Sequence, residues 1–330
     1  MSRSKLAITL IAALLLASLL GVRFGSVPLT TGDVLGVLAG GGDDVQRDIV
    51  MRFRLPRVLL GMLVGGGLAL AGATFQALLR NPLAEPYILG ISGGASLGAV
   101  SVLALGLAAW GSWTLPLAAF AGALLAIVLV FRLATATGQA MDVRVLLLSG
   151  VVIAAFFSAC IAFILAVSPA RTVRSAVMWM MGSLDGATWG SVTLTAVYTL
   201  PAAAVLIALA RPLNLMAIGE ETAYYLGADV EGVKRVSLVI AALITAAGVA
   251  VAGVIGFVGL VVPHAVRLLV GSDHRALLPL SFLGGAAFLT SADLVARVAM
   301  DPAEVPIGVI TAFVGVPFFL LLLRRSMSRA

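Results

Sequence analysis

The sequence predicts an all-α, polytopic membrane protein with about ten transmembrane helices. Of its 330 residues, 61% are hydrophobic and only 11% are charged, whereas soluble domains have about 25% charged residues. Apolar runs recur along the chain at about the 20-residue length that a bilayer-spanning helix needs. These runs are continuous and lack the strict alternation that marks transmembrane strands, so we expect helices.

Ten apolar runs are candidates for spans. They cover residues 6–24, 56–79, 87–106, 114–133, 145–167, 191–210, 236–252, 254–271, 276–299 and 306–323. The first run could instead be a signal peptide, but no clear small-x-small cleavage site ends it, which favours an uncleaved span. An even number of spans places both termini on one side.

The distribution of basic residues predicts the orientation. With both termini inside, 13 of the 21 Lys and Arg residues fall in inner segments and 8 in outer segments, as the positive-inside rule favours. Residues 211–235, called the polar segment below, then lie inside. Four of the eight outer arginines crowd into residues 47–57, which indicates a separate role for them.

Glycines divide the polar segment into short helices outside the bilayer. Glu220 and Glu221 suit the start of a helix, where the dipole favours negative charge. Gly219 and Gly227 mark its limits, and Asp229 can cap the helix that follows. On these residues alone, the segment is either a solvated loop or a docking platform for a soluble partner.

The second and third spans show signs of close packing and of an interruption. Gly61 and Gly65 have the small-xxx-small spacing that lets helix backbones approach each other. Pro82 and Pro86 bracket a turn that cannot be helical. The run Ser92-Gly93-Gly94 predicts irregular backbone within the third span, which is tolerated where it faces protein or a water-filled cavity.

Two further features concern the outer side. Within residues 25–55 we expect a short helix near Thr31–Leu38, with Asp33 in its first turn. Asp293 and Arg297 lie inside the ninth run, four residues apart, so they share one helix face and can pair.

Residues 168–190 are expected to form an outer loop. Trp179 and Trp189 suit anchors at the membrane interface. Arg174 is a candidate for a translocation pathway.

Composition excludes several other functions. The net charge is +6, but the basic residues flank apolar runs instead of forming the basic face of a nucleic-acid-binding protein. Cys160 is the only cysteine, and His264 and His274 are the only histidines, so no cysteine or histidine metal cluster is expected.

The chain also lacks a phosphate-binding loop of the Walker type. Lys5 and Lys234 are the only lysines, and neither follows a glycine, as that loop requires. If transport is driven by ATP, a separate subunit must hydrolyse it.

Four stretches together resemble the FecCD-type permease family of bacterial type II ABC importers, which take up ferric siderophores, haem and vitamin B12. They read RLPRVLLGMLVGGGLALAGATFQALLRNPLAEPYILG, MWMMGSLDGATW, AIGEETAYYLGADV with VAGVIGFVGLVVPHAVRLLVGSDHRALLP, and LVARVAMDPAEVPIGVITAFVGVPFF. The resemblance extends from about residue 50 to the end of the chain.

The resemblance implies one permease domain over residues 1–330, with the polar segment as its coupling region. It implies a homodimer of ten-span subunits in the bacterial inner membrane, surrounded by lipid, with cytoplasmic termini and the pathway between the two copies. Two cytoplasmic ATPase subunits bind ATP and Mg²⁺, so this chain carries no cofactor. A periplasmic or lipid-anchored substrate-binding protein docks outside.

The same resemblance assigns two groups of residues by position. The ATPase-coupling residues are Gly219, Glu220, Glu221, Leu226 and Gly227. The residues that dock the binding protein are Arg54, Arg57 and Arg297, which match positions where vitamin B12 permeases pair with glutamates. Exposed charge pairs of this kind add orientation and association rate more than affinity.

The substrate is less well determined. Residues 141–144 read MDVR where vitamin B12 permeases have small hydroxyl residues at the cytoplasmic gate. We therefore expect an iron chelate, either a ferric siderophore or haem, with vitamin B12 as the alternative.

Two other classes of function are weaker. An ion-coupled secondary transporter needs ionisable groups within the membrane, and Asp293 and His264 are the few candidates. A membrane-embedded enzyme needs a cluster of reactive side chains that the sequence does not show.

Overall fold

The computed structural model describes residues 2–135, 143–300 and 303–327. Met141 and Asp142 of the predicted inner turn lie outside this part of the chain. The described residues form helices joined by turns, with an isolated bridge between Met300 and Ala303 in place of any strand.

The α-helices are numbered in chain order. They are α1 Arg3–Arg23, α2 Thr31–Leu38, α3 Asp44–Asp48, α4 Leu55–Leu78, α5 Ile91–Ala104, α6 Thr114–Thr135, α7 Val143–Val167, α8 Ala170–Met180, α9 Trp189–Ala208, α10 Ala210–Ile218, α11 Glu220–Tyr225, α12 Val230–Ala252, α13 Val258–Val270, α14 His274–Val298 and α15 Ile307–Met327. A π-helical stretch, Ile49–Arg54, connects α3 to α4.

Seven helical stretches in the described part of the chain are long and apolar enough to cross a membrane. They are α1, the continuous stretch from α3 through α4, α6, α7, α9, α12 and α14. The helices α5 and α13, and the stretch Ile307–Leu321 of α15, are apolar but shorter. Together they coincide with the ten predicted spans, so the prediction of an all-α protein with about ten transmembrane helices is confirmed.

The helix α4 lies at the centre of the bundle and packs against α9, α12, α13 and α14. Its glycines allow this packing, as predicted. A Cβ at Gly65 would overlap the carbonyl of Gly285 on α14, and a Cβ at Gly72 would overlap the carbonyl of Gly259 on α13. Because neither backbone can move without disturbing the other, only glycine fits at these contacts.

The predicted span 254–271 begins late, because residues 253–257 are not helical. Gly253 and Phe257 have positive φ angles of 69° and 68°. The Tyr87 hydroxyl donates to the carbonyl of Ile255 at 3.0 Å and accepts from its N–H at 3.1 Å. The Glu85 carboxylate accepts from the N–H of Phe257 at 2.7 Å. These side chains replace the helical hydrogen bonds that the break removes.

The irregular backbone predicted at Ser92–Gly94 lies slightly earlier. Residues 92–94 are already in the first turn of α5, and the interruption is the 3-10 turn Pro86–Leu89 with Gly90 at φ 72°. Gly94 instead provides close packing, since a Cβ there would overlap the carbonyl of Gly122 on α6.

The segments expected on the outer side are partly helical. The helix α2 forms where predicted, and Thr30 and Asp33 make a capping box at its start. The expected loop 168–190 is wrong in part, because it contains the amphipathic helix α8. The indole N–H of Trp189 donates to the carbonyl of Met51 at 2.8 Å, so this tryptophan also joins two segments of the chain.

We expect Gly72→Ala to destabilise the protein by about 1–3 kcal/mol, because the added methyl group overpacks a backbone contact. Gly248→Ala is the matched control, since its Cβ would lie 3.6 Å from the nearest atom, at ordinary contact distance. The measurement is thermal unfolding of both purified variants in detergent. Equal melting temperatures would show that α4 and α13 are not in close backbone contact.

Candidate functional site

Arg57 lies in an ionic cluster at the end of the bundle where α1 ends and α4 begins. Its Nη1 and Nη2 donate to the two carboxylate oxygens of Glu304 at 3.0 and 2.7 Å. Its Nε donates to Asp293 at 3.0 Å, and Asp185 lies 3.4 Å from Nη1. The guanidinium thus makes a two-pronged pair with one carboxylate while contacting two others.

Asp293 is shared between two arginines. It also pairs with Arg297 at 3.1 Å, across one turn of α14, which confirms the pair predicted from the spacing. The Asp293 side chain is buried, and a buried carboxylate is tolerated when it is paired and hydrogen-bonded. One carboxylate therefore joins α4 and α14.

Arg54 and Arg297 hold the end of α1. They donate to consecutive backbone carbonyls, which are those of Gly21, Val22, Arg23 and Phe24, at distances between 2.6 and 3.1 Å. The last carbonyls of a helix have no partner within the helix and carry partial negative charge. The two guanidinium groups satisfy them.

The expectation that these arginines present exposed charges is wrong. Arg54, Arg57 and Arg297 are only 6%, 7% and 7% exposed, because each already has acceptors within the chain. The three arginines come together around one cavity of about 290 Å³. The cavity is also lined by Gly25, Ser26, Val27, Ile49, Phe53, Asp185 and Glu304.

The opposite end of the bundle carries α10 and α11, and the short helix predicted between Gly219 and Gly227 is confirmed as α11. Glu220 and Glu221 open α11, and Gly227 follows it at φ 83°. Gly219 precedes α11 at φ 153°, a positive-φ conformation that favours glycine. The Asp229 carboxylate caps α12 by accepting from the N–H of Gly232 at 3.0 Å.

Glu220 is paired within the chain. One carboxylate oxygen accepts a short hydrogen bond from Lys234 of α12, and the other lies 3.6 Å from Arg80, just after α4. Glu231 also pairs with Lys234, at 3.4 Å. Lys234 is buried, so Glu220 neutralises a charge that would otherwise be costly.

The solvent-facing side of α11 is apolar and aromatic. Tyr224, Tyr225 and Leu226 are exposed, as is Ile218 just before the helix. The acidic Glu221 is exposed beside them. Exposed apolar residues in one patch, bordered by charge, are typical of a protein-docking surface.

The helix α10 is fastened to the start of α14. Asn214 donates to the Asp273 carboxylate at 2.8 Å and accepts from the N–H of His274 at 2.9 Å. Arg3 of α1 pairs with Asp273 at 2.9 Å. The hydrogen bonds from Asn214 and from the N–H of Arg275, together with the Arg3 guanidinium, lower the pKa of Asp273.

Some site residues follow from the structure and not from the sequence. Glu304, Asp185 and Lys234 complete the two clusters, although nothing in their local sequence marks them as ion-pair partners. Lys234 has one available signal, since it is one of two lysines in the chain. Arg174 is exposed on α8. Within the described ranges no three His, Cys, Asp or Glu side chains are grouped as metal ligands.

Comparison with known proteins identifies the family. Residues 12–325 match the FecCD transport family. The chain is 47% identical over 296 residues to the cobalamin import system permease protein BtuC of Halobacterium salinarum, covering 88% of this chain and 77% of BtuC. It is 41% identical over 287 residues to the hemin transport system permease protein HmuU of Yersinia pestis, covering 86% and 85%.

A solved structure supports the same assignment. The fold matches, with a TM-score of 0.85 and 30% identity, an inward-facing structure assigned to a metal-chelate type ABC transporter. The match covers 98% of this chain and 99% of that one. The chain therefore belongs to the FecCD transport family, a family of ABC-importer permeases.

Proposed function

We propose that this permease carries a large metal chelate across the bacterial inner membrane as part of an ABC importer. The observation that carries the proposal is the exposed aromatic tip of α11, held by ion pairs at the end of the bundle opposite an arginine-lined cavity. An iron chelate, ferric siderophore or haem, is our first choice, and HmuU, named as a hemin permease, supports it. Vitamin B12 is the alternative, favoured by the similarity to a cobalamin permease.

The tip of α11 docks on an ATPase subunit in the cytoplasm. The excess of Lys and Arg in the segments on that side supports this orientation, with both termini cytoplasmic. ATP and Mg²⁺ bind the ATPase subunits, and this chain needs no cofactor of its own. Residues 211–235 act as the coupling region within one permease domain.

A second copy of the chain completes the pathway. Large apolar side chains on α7 and α15 are exposed, including Phe156, Phe163 and Phe313. In the assembly these faces meet the second copy or lipid. Arg174 of α8, exposed near the same end as the arginine cluster, is a candidate to line the pathway.

The substrate-binding protein docks at the arginine-lined cavity. Arg57 is held there by Glu304, whose side chain is partly exposed. An acidic side chain of the binding protein can enter the cavity and replace Glu304 on the Arg57 guanidinium. Docking then exchanges one carboxylate for another and does not require Arg57 to become unpaired.

Uptake into proteoliposomes tests the function. The vesicles contain the permease and its ATPase, with the binding protein on the other side, and the panel is a ferric siderophore, haem and cobalamin, each with and without ATP. We expect ATP-dependent uptake of one compound. Uptake driven by an ion gradient without ATP would refute the proposal.

Leu226→Ser is expected to reduce co-purification of the ATPase by about fivefold or more, because it removes an apolar contact at the tip of α11. Leu35→Ser is the matched control, since Leu35 of α2 is 56% exposed and Leu226 is 61% exposed, and α2 lies at the other end of the bundle. If only the Leu35 variant lost the ATPase, the ATPase would dock at the end of the bundle that carries α2, and the proposed orientation would be wrong.

Glu304→Gln is expected to tighten docking of the binding protein by about fivefold, the scale of a partly exposed ion pair, because it frees the Arg57 guanidinium. Asp185→Asn removes the same charge beside the same guanidinium, but Asp185 lies farther away, at 3.4 Å, and is more exposed. We expect a smaller change for that variant by surface plasmon resonance. Equal tightening by both variants would show that the effect comes from the change in net charge and not from the release of Arg57 by Glu304.

A further inference from the structure

The turn after α4 has an unusual backbone conformation at Arg80. The N–H of Asn81 donates to the carbonyl of Gln76 at 3.2 Å, and the N–H of Arg80 donates to that of Ala77 at 3.3 Å. This is a Schellman motif, in which the residue at the position of Arg80 is left-handed and is usually glycine. Arg80 has φ 48°, so a residue with a Cβ is strained where glycine would fit better.

The contact made by the Arg80 side chain offers a reason why arginine, and not glycine, occupies this position. It reaches Glu220 of α11 at 3.6 Å, and a glycine could make no such contact. Strained non-glycine residues that persist in a fold point to a function. Across the described residues, positive φ angles outside glycine occur at Arg80 and Phe257.

The two strained residues are joined by one short segment. From Arg80 the chain runs through residues 81–85 to Glu85, whose carboxylate accepts from the N–H of Phe257. The segment is braced internally: Leu83 N–H donates to the Asn81 side chain at 2.9 Å. With such bracing, a displacement at Arg80 reaches Glu85.

Phe257 in turn contacts α15. A Cβ placed on Gly315 would overlap the Phe257 ring, so the ring lies directly on the backbone of that helix. A continuous set of contacts therefore leads from α11 through Arg80, Glu85 and Phe257 to Gly315.

We propose that Arg80 and Glu220 are positioning residues that couple movement of α11 to the broken backbone at residues 253–257 and to α15. The inference rests on the proposed function, because α11 moves only if an ATPase subunit drives it. Glu220 holds α11 on α4 and α12 through Arg80 and Lys234, while the exposed tip residues contact the ATPase. This assigns to Glu220 a role inside the permease instead of one at the ATPase interface.

Arg80→Gly separates coupling from folding. The variant removes the guanidinium and relieves the strained backbone, so its melting temperature is expected to equal or exceed that of the wild type. Hydrogen exchange of the permease alone is expected to accelerate at residues 219–229 and also at residues 253–260. In proteoliposomes with the ATPase, stimulation of MgATP hydrolysis by substrate-loaded binding protein is expected to fall by about fivefold.

Two further variants control the result. Glu220→Gln is expected to reproduce both effects and also to lower the melting temperature, because Glu220 neutralises the buried Lys234. Adding Arg80→Gly to Glu220→Gln should reduce coupling little further, because the contact between the two residues is already lost. Glu221→Gln makes the same change of charge on the exposed neighbour, and in the permease alone it is expected to leave both the melting temperature and the hydrogen exchange at residues 253–260 at their wild-type values. Arg80→Lys should retain part of the coupling.

The outcomes distinguish this inference from the proposed function. Wild-type exchange at residues 253–260 and full stimulation in the Arg80→Gly variant would overturn the inference. If instead the wild-type permease fails to assemble with an ATPase, the proposed function fails, and the exchange measured in the permease alone still decides whether Arg80 links α11 to residues 253–257.

Discussion

Within a bilayer, every backbone N–H and carbonyl must find a partner in the protein. This requirement explains why the segment before α5 contacts the break between α12 and α13. Residues 253–257 leave the helix between α12 and α13, and their polar groups are met by Tyr87 and Glu85 from the segment before α5. The stretches RNPLAEPYILG and VAGVIGFVG are far apart in sequence but form one contact. Neither interruption is stable in hydrocarbon without the other.

The same requirement applies to charge. The arginine cluster buries three guanidinium groups, and each is satisfied by carboxylates or by the carbonyls at the end of α1. At the other end, Glu220 and Glu231 neutralise the buried Lys234. In both places the buried charges hold helices together. The groups that remain accessible are those that are partly exposed, such as Glu304. Under the proposed function, the binding protein would dock by charge at a surface whose arginines are themselves buried.

Much of this architecture could be predicted from the sequence, for physical reasons. Span positions follow from apolar length, the limits of α11 from Gly219 and Gly227, and the Asp293–Arg297 pair from helical spacing. The break at residues 253–257 could not be predicted, because Ile255 and Phe257 are apolar and only long-range contacts reveal that they leave the helix. Burial of Arg54 was also missed, since its acceptors are backbone carbonyls, which no side-chain pattern reports. The helix α8 was missed because its polar face resembles a loop.

The way in which α1 is held has a consequence for biogenesis. Its last carbonyls are bound by Arg54, which follows soon in the chain, and by Arg297, which is synthesised 273 residues after Phe24. At a synthesis rate of about 5–20 residues per second, that separation is on the order of half a minute. During this interval α1 is inserted but only half secured, and the arrival of α14 completes its attachment. A ribosome that stalls before α14 would leave a partly assembled bundle with unsatisfied polar groups at the end of α1, which quality-control proteases could recognise.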